Sequence, residues 1–257
     1  MKKLLYLLIA VSVFYAGCAG REAKPIPSLT GDENHNCPVL KVKNGNIYFS
    51  ADGKNRKQLT NTGKDRAPVL SPDEKRVVFI RKSNNKAYLV IGDETCYPPG
   101  DEGLFADQLW IIDINDKKEE MLVKDWNPDT NKPKVSVPDE DTQTKVISHI
   151  GDVNFSPDGK KVYFTTDAWV TSNAVHSVNI DGSNEHFVVA GRSFKVIPTG
   201  EYAGYLIVKQ HRYCVYGGSY DWPWVFTPEG EDVGPVGTKM ENNCLDIEFN
   251  GKIVPPW

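Results

Sequence analysis

Two stretches of this 257-residue chain repeat one another, and that repetition limits the possible folds more than any other feature. Ala67–Phe79 (APVLSPDEKRVVF) aligns with Gly151–Phe164 (GDVNFSPDGKKVYF), each reading as strand, Ser-Pro-Asp turn, basic pair and strand. The chemistry of the turn is local. Pro72 and Pro157 pre-set φ at the second turn position, and Asp73 and Asp158 can hydrogen-bond their own backbone. A second pair matches Ile47–Asn55 with His176–Asn184. Each is a strand and an Asp-Gly turn, Asp52-Gly53 or Asp181-Gly182, leading into a further short strand at Lys57–Thr60 or His186–Val189. Units that recur in this way bury a core by stacking on their neighbours, so a repeat architecture is expected.

The rest of the chain agrees with an all-β fold. Runs rich in Val, Ile, Tyr and Phe recur at Asn46–Phe49, Arg76–Ile80, Leu109–Ile112, Lys161–Phe164, Tyr205–Val208 and Leu245–Phe249, broken by turn residues drawn from 21 Gly and 17 Pro. After the leader, no segment of helical length carries a helical period with caps. Asp73 and Asp158 stand 85 positions apart, about twice a repeat of roughly forty residues, so either a whole degenerate unit intervenes or one unit carries long insertions. The excess is read as insertions, with residues 83–107 and 125–146 as loops and Leu109–Ile114 and Glu120–Val123 as the strands between them. At 40% hydrophobic residues the chain can bury a core, and its net charge of −4 argues against a nucleic-acid partner. A mean hydropathy of −0.43 excludes a polytopic membrane protein.

The N-terminus reads as an address. Lys2 and Lys3 precede an apolar run from Leu4 to Ala16 that ends in Gly17-Cys18-Ala19-Gly20. This is the layout of a bacterial export signal over residues 1–17. Ala16-Gly17-Cys18 resembles a lipobox, which makes Cys18 the expected lipidation site and membrane anchor; an ordinary signal peptide cut near Gly20 is the alternative. Ala19 after the cysteine matches the sorting rule for the outer membrane. Residues 18–36, polar and aperiodic, form a tether, and residues 37–257 the folded domain. Cys37, Cys96, Cys214 and Cys244 then remain, an even number in an oxidising compartment, for which three pairings are open. They are too scattered for a zinc site.

The series Ile47-Tyr48-Phe49-Ser50-x-Asp52-Gly53, Gln58-Leu59-Thr60, Pro68-x-x-Ser71-Pro72-Asp73-x-Lys75-x-Val77-x-Phe79 resembles the β-propeller repeat of TolB and related periplasmic proteins. The likeness covers residues 46–82 and 148–190, and more weakly 192–257. It implies about four four-stranded blades, with Cys244–Val254 completing the first unit so that both chain ends share a blade. The closure that the resemblance implies carries a pairing with it, Cys37 with Cys244 and Cys96 with Cys214. It also implies a binding or scaffold module of the periplasm that engages another envelope protein, such as a peptidoglycan-associated lipoprotein, through loops on a propeller face. Related propellers occur in peptidases, so the alternative is a small-ligand receptor, or a hydrolase or lyase, using the central channel.

The segment His211–Trp224 (HRYCVYGGSYDWPW) is the most unusual in composition. Tyr and Trp give large contact area at low entropic cost, and Arg pairs with carboxylates. Arg212, Tyr216, Tyr220, Asp221 and Trp222 are therefore the partner-binding candidates, with Tyr220 and Trp222 expected to be exposed near the turn. The competing reading is a blade that buries these rings. Gly217-x-Ser219 opens like a nucleophile elbow, yet Asp221 replaces the second glycine, so a turn is expected. The five histidines show no metal-binding spacing. Asn127–Asn131 imitates a calcium loop, but Lys132 and Pro138 stand at positions that require Gly and Glu. No catalytic residue, cofactor or metal ligand is assigned.

Overall fold

Val77–Ile80, Val162–Thr166 and Ala174–Val178 are buried at every position, so the strands they form are covered on both faces. Strands covered that way need a packing layer on each face. The computed structural model describes residues 37–87, 89–91, 94–96, 105–125, 147–169, 172–214 and 217–236, and shows such a row of sheets. Among the described residues every regular element is a strand.

The first sheet is the antiparallel run β1 (Val39–Lys43), β2 (Asn46–Ser50) and β3 (Lys57–Gln58). The second contains β4 (Asp65–Leu70), β5 (Arg76–Lys86), β8 (Phe105–Asp113) and β9 (Glu119–Val123). Between β5 and β8 rises a separate small hairpin, β6 (Leu89–Ile91) with β7 (Glu94–Cys96). The third sheet is β10 (Ile150–Phe155), β11 (Lys161–Asp167), β12 (Asn173–Asn179) and β13 (His186–Ala190). The fourth is β14 (Ser193–Val196), β15 (Leu206–Tyr213), β16 (Ser219–Phe226) and β17 (Asp232–Pro235). The leading strands lie side by side, β4 next to β10 and β10 next to β14, as propeller blades require.

Three apolar layers hold the row together. Ile47, Phe49, Val77 and Phe79 pack between the first and second sheets. Val78, Ile80, Phe155 and Phe164 pack between the second and third, and Tyr163, Val175, Leu206 and Trp224 between the third and fourth.

The insertion over residues 83–107 is more ordered than the loop expected from sequence. β5 runs on to Lys86 and β8 starts at Phe105, so the two make a long ribbon capped by the β6–β7 hairpin. Residues 126–146, most of the second insertion, lie outside the described residues, as do the leader, Cys18 and the tether. Three of the sheets have four strands and the first has three; none closes a ring among the described residues. The expected closing segment Cys244–Val254 also lies outside them.

The repeated turns adopt one structure. In each, the serine hydroxyl donates to the aspartate carboxylate at 2.6 Å (Ser71 to Asp73, Ser156 to Asp158) and accepts a backbone N–H five residues on at 2.9 Å. The fourth turn residue has positive φ, 57° at Glu74 and 68° at Gly159. An L-residue in that region is strained by roughly 1–2 kcal/mol, less the entropy lost by a glycine. Replacing Glu74 with Gly is thus expected to stabilise the fold by about 0.5–1 kcal/mol, and Gly159→Ala to destabilise it by a similar amount. Denaturant midpoints measured at unchanged m-value check both.

Candidate interaction face

The antiparallel order puts unlike connections at the two ends of the row. One end carries the short turns, namely the Ser-Pro-Asp turns and those at Asp113–Lys118, Asn179–Ser183 and Thr227–Glu231, locked together by bonds such as Ile114 N–H to Lys75 O and Ile180 N–H to Lys160 O. The other end carries the β5–β8 ribbon with its hairpin, the β15–β16 ribbon, and the return of the chain at Ile147–His149 into β10. Both insertions therefore open onto one end, the arm end.

The β15–β16 ribbon sorts the sequence candidates onto two faces, because directly opposed residues project to the same side. Arg212 faces Tyr220 and Gln210 faces Trp222, whereas His211 faces Asp221 and Tyr213 faces Ser219. The first set looks toward the third sheet. Tyr220, expected to be exposed, is only 8% accessible and belongs to the apolar layer there. Only Ser219 separates it from the turn, yet its ring is directed at the third sheet and not at solvent. Trp222 is half-buried, and its Nε1–H donates to the Val236 carbonyl at 2.9 Å. Arg212 lies flat on Trp224, its guanidinium carbon 3.3 Å from the ring centroid, with Nη2 on Asp232 at 2.6 Å and Nε on Gln210 at 2.7 Å. These residues build the ribbon more than they display it. Tyr216 lies outside the described residues.

On the opposite side Asp221 holds two partners, His211 Nδ1 at 2.8 Å and Arg192 Nη1 at 2.9 Å. His211, with Arg192 behind it, keeps the Asp221 carboxyl below the usual range. Tyr213 sets its ring edge-on to His211 at 5.2 Å and is 68% exposed, the most open large hydrophobic side chain among the described residues. Among the described residues no hydroxyl or thiol is hydrogen-bonded to His211, so the pair acts as a clamp that ties the ribbon to the β13–β14 connection. Gly217 and Gly218, with φ of 97° and 90°, form the turn expected in place of an elbow.

A second polar cluster joins the second and third sheets at the same end. Arg66 Nη2 donates to Asp107 at 2.6 Å and to the Ile150 carbonyl at 2.9 Å, and the Ile150 N–H returns to Asp107. His149 stands between Asp167 (Nδ1, 3.8 Å) and Asp107 (Nε2, 3.9 Å). Asp125, buried, accepts from Ser83 (3.0 Å), Asn85 (2.6 Å) and Gln108 (2.6 Å), which fixes the root of the β5–β8 ribbon. Arg192, His211, Tyr213 and Asp125 were missed as site residues, since each acts through partners distant in sequence. Among the described residues no cluster of His, Cys, Asp and Glu has the makings of a metal site.

The arrangement is that of β-propeller blades, and solved structures share it. The chain is similar to dipeptidyl peptidase 4 from Porphyromonas gingivalis at 10% identity and a TM-score of 0.53, over 83% of this chain and 32% of that one. It also matches TolB from Acinetobacter baumannii (14% identity, TM-score 0.46, 79% of this chain and 41% of that one) and the tricorn protease (12%, 0.48, 77% and 15%). The chain thus spans well under half the length of each. No protein-family model matches it, and no curated protein does.

Asp167, and then Asp107, raise the pKa of His149 against the opposing effects of burial and Arg66. A histidine raised on folding adds stability below its ordinary value of about 6.5, and that stability is lost as pH rises through the folded value. His149→Gln is expected to flatten the stability–pH curve from neutral to mildly alkaline pH, by less than about 1 kcal/mol because the group is half-exposed. Urea unfolding on both sides of that window measures it.

Proposed function

We propose that this protein is a binding or scaffold module of the bacterial cell envelope, exported by residues 1–17 and anchored through a lipid on Cys18, which presents the arm end of its propeller to another envelope protein. A peptidoglycan-associated lipoprotein is the kind of partner that the TolB resemblance implies. One observation carries the reading: the β5–β8 and β15–β16 ribbons, built of strands, rise from the same end, the end at which the chain leaves β9 and re-enters at β10. Loops and ribbons on a rigid scaffold are where recognition resides, while the opposite end carries mostly tight turns, with longer connections only at residues 51–56 and 197–205 among the described residues. Ordering the ribbons before binding lowers the entropic cost of association. In an oxidising periplasm, a Cys96–Cys214 pairing would tie the two ribbons together and add to that rigidity, while Cys37–Cys244 would serve ring closure.

The test is site-specific photocrosslinking in intact cells, with the reactive group placed at Tyr213 on the arm end or at Lys117 on the turn end. Discrete protein adducts from Tyr213, and none from Lys117, are the expected result. Adducts confined to Lys117 would overturn the assignment of the face. Metabolic labelling with a fatty acid, abolished by Cys18→Ser, checks the anchor; label that persists in the variant would refute it.

A further inference from the structure

The arm end of the second sheet carries lysines with no carboxylate partner among the described residues. Lys64, Lys82 and Lys124 are exposed there. Lys64 and Lys82 stand directly opposite each other, the Lys82 N–H bonding the Lys64 carbonyl at 3.0 Å. Like charges facing each other across two strands are destabilising, so the pair works against the sheet that holds it. Among the described residues neither of them, nor Lys124, is paired with a carboxylate. Lys64 Nζ rests on the Asn84 side-chain oxygen, and Lys82 Nζ lies over the Phe105 ring at 4.5 Å.

Among the described residues, the carboxylates beside these strands are already committed. Asp65 takes Arg81, Asp107 takes Arg66, and Asp125 takes three neutral donors. At the turn end, by contrast, lysines meet local carboxylates: Lys118 with Glu120, Lys160 with Asp158 and Lys161 with Glu229. Phe105, 39% exposed between Lys82 and Lys86, adds an apolar contact to the charged strip.

Resting on the arm-end reading above, we infer that the partner contributes an acidic polypeptide segment. Its carboxylates would pair with Lys64, Lys82 and Lys124, and one apolar side chain would cover Phe105. Charge complementarity argues for this occupant, since the strip is basic on a chain of net charge −4. A short, exposed segment also suits a ribbon edge better than a broad rigid surface does.

The experiment uses a short fluorescein-labelled peptide of Glu and Asp with a single Leu, titrated by anisotropy against the folded protein. Saturable binding that weakens as salt rises is expected. The double variant Lys82→Glu/Lys124→Glu should lose about tenfold in affinity or more. Lys75→Glu/Lys160→Glu at the turn end should lose none. Melting curves establish that each variant is folded, and the milder Lys82→Gln/Lys124→Gln should show an intermediate loss. No saturable binding, equal losses in the two double variants, or binding only to phosphatidylglycerol vesicles would overturn the proposal. If adducts from Tyr213 persist while the peptide fails to bind, this inference falls and the arm-end reading stands. If the peptide binds as expected while those adducts are absent, the acidic-segment inference is retained and the wider reading falls.

Discussion

Everything in this fold depends on the middle strands being covered from both sides. Val77–Ile80 and Val162–Thr166 have no water-facing side, so polar groups are tolerated there only with partners. Arg81 is the clearest case. Its guanidinium is bonded to Asp65 at 2.6 and 3.2 Å and to Glu119 at 2.7 Å, with the rings of Phe79 and Trp110 at 5.1 and 4.6 Å. Burying an ion pair gains little net stability, but losing one partner strands the other charge. Asp65 and Arg81 therefore act more to fix the register of β4 against β5 than to strengthen it. His176 meets the same problem only in part. Its Nδ1 meets Glu185 at 2.6 Å, and Phe164 stacks on it while Phe187 meets it edge-on, but its Nε2 is buried with no hydrogen-bond partner among the described residues.

The two ends of the row are built by different means. At the turn end the bonds are local: Asp73, Asp158 and Asp181 each take a neighbouring serine hydroxyl, which holds these carboxyls below their ordinary range. Such turns need only a few residues and leave nothing protruding. At the arm end the bonds join residues far apart in sequence, as in Asp107 with Arg66 and Ile150, or Asp221 with Arg192. Long-range bonds of this kind can hold a strand beyond the edge of the packed core, where apolar cover runs out.

That difference explains what could be read in the sequence. The repeated turns and Asp-Gly hairpins mark strands in all three layers because their chemistry is contained in a few adjacent residues. The extension of β5 to Lys86 left no such mark. Over Lys82–Lys86 the outward residues are Lys, Asn and Lys, and the inward ones are Ser83 and Asn85, which bond Asp125 instead of packing in a core. A strand whose inner face is polar shows no alternation of hydrophobicity and reads as a loop. Tyr220 and Trp222 lie on the ribbon expected. Proximity to the turn leaves Trp222 half-exposed but does not expose Tyr220, whose ring is directed at the third sheet. The acidic partners of His211 and Arg192 could be seen in sequence only as separate residues.

The position of Asp125 connects the architecture to recognition. It is a buried carboxylate bound by three neutral side chains and, among the described residues, no cation. Two of those donors, Ser83 and Asn85, alternate with Lys82, Asn84 and Lys86 along one strand, so fixing them inward fixes the lysines outward. The anion thereby sets the direction of the cationic strip while lying too deep to neutralise it by direct contact. Replacing the inner polar residues with apolar ones would serve burial equally well. It would, however, remove the directional bonds that hold the ribbon root, and the lysines would lose their common orientation. A partner would then have to order them on binding, at a cost of roughly 0.5–1.5 kcal/mol for each side chain.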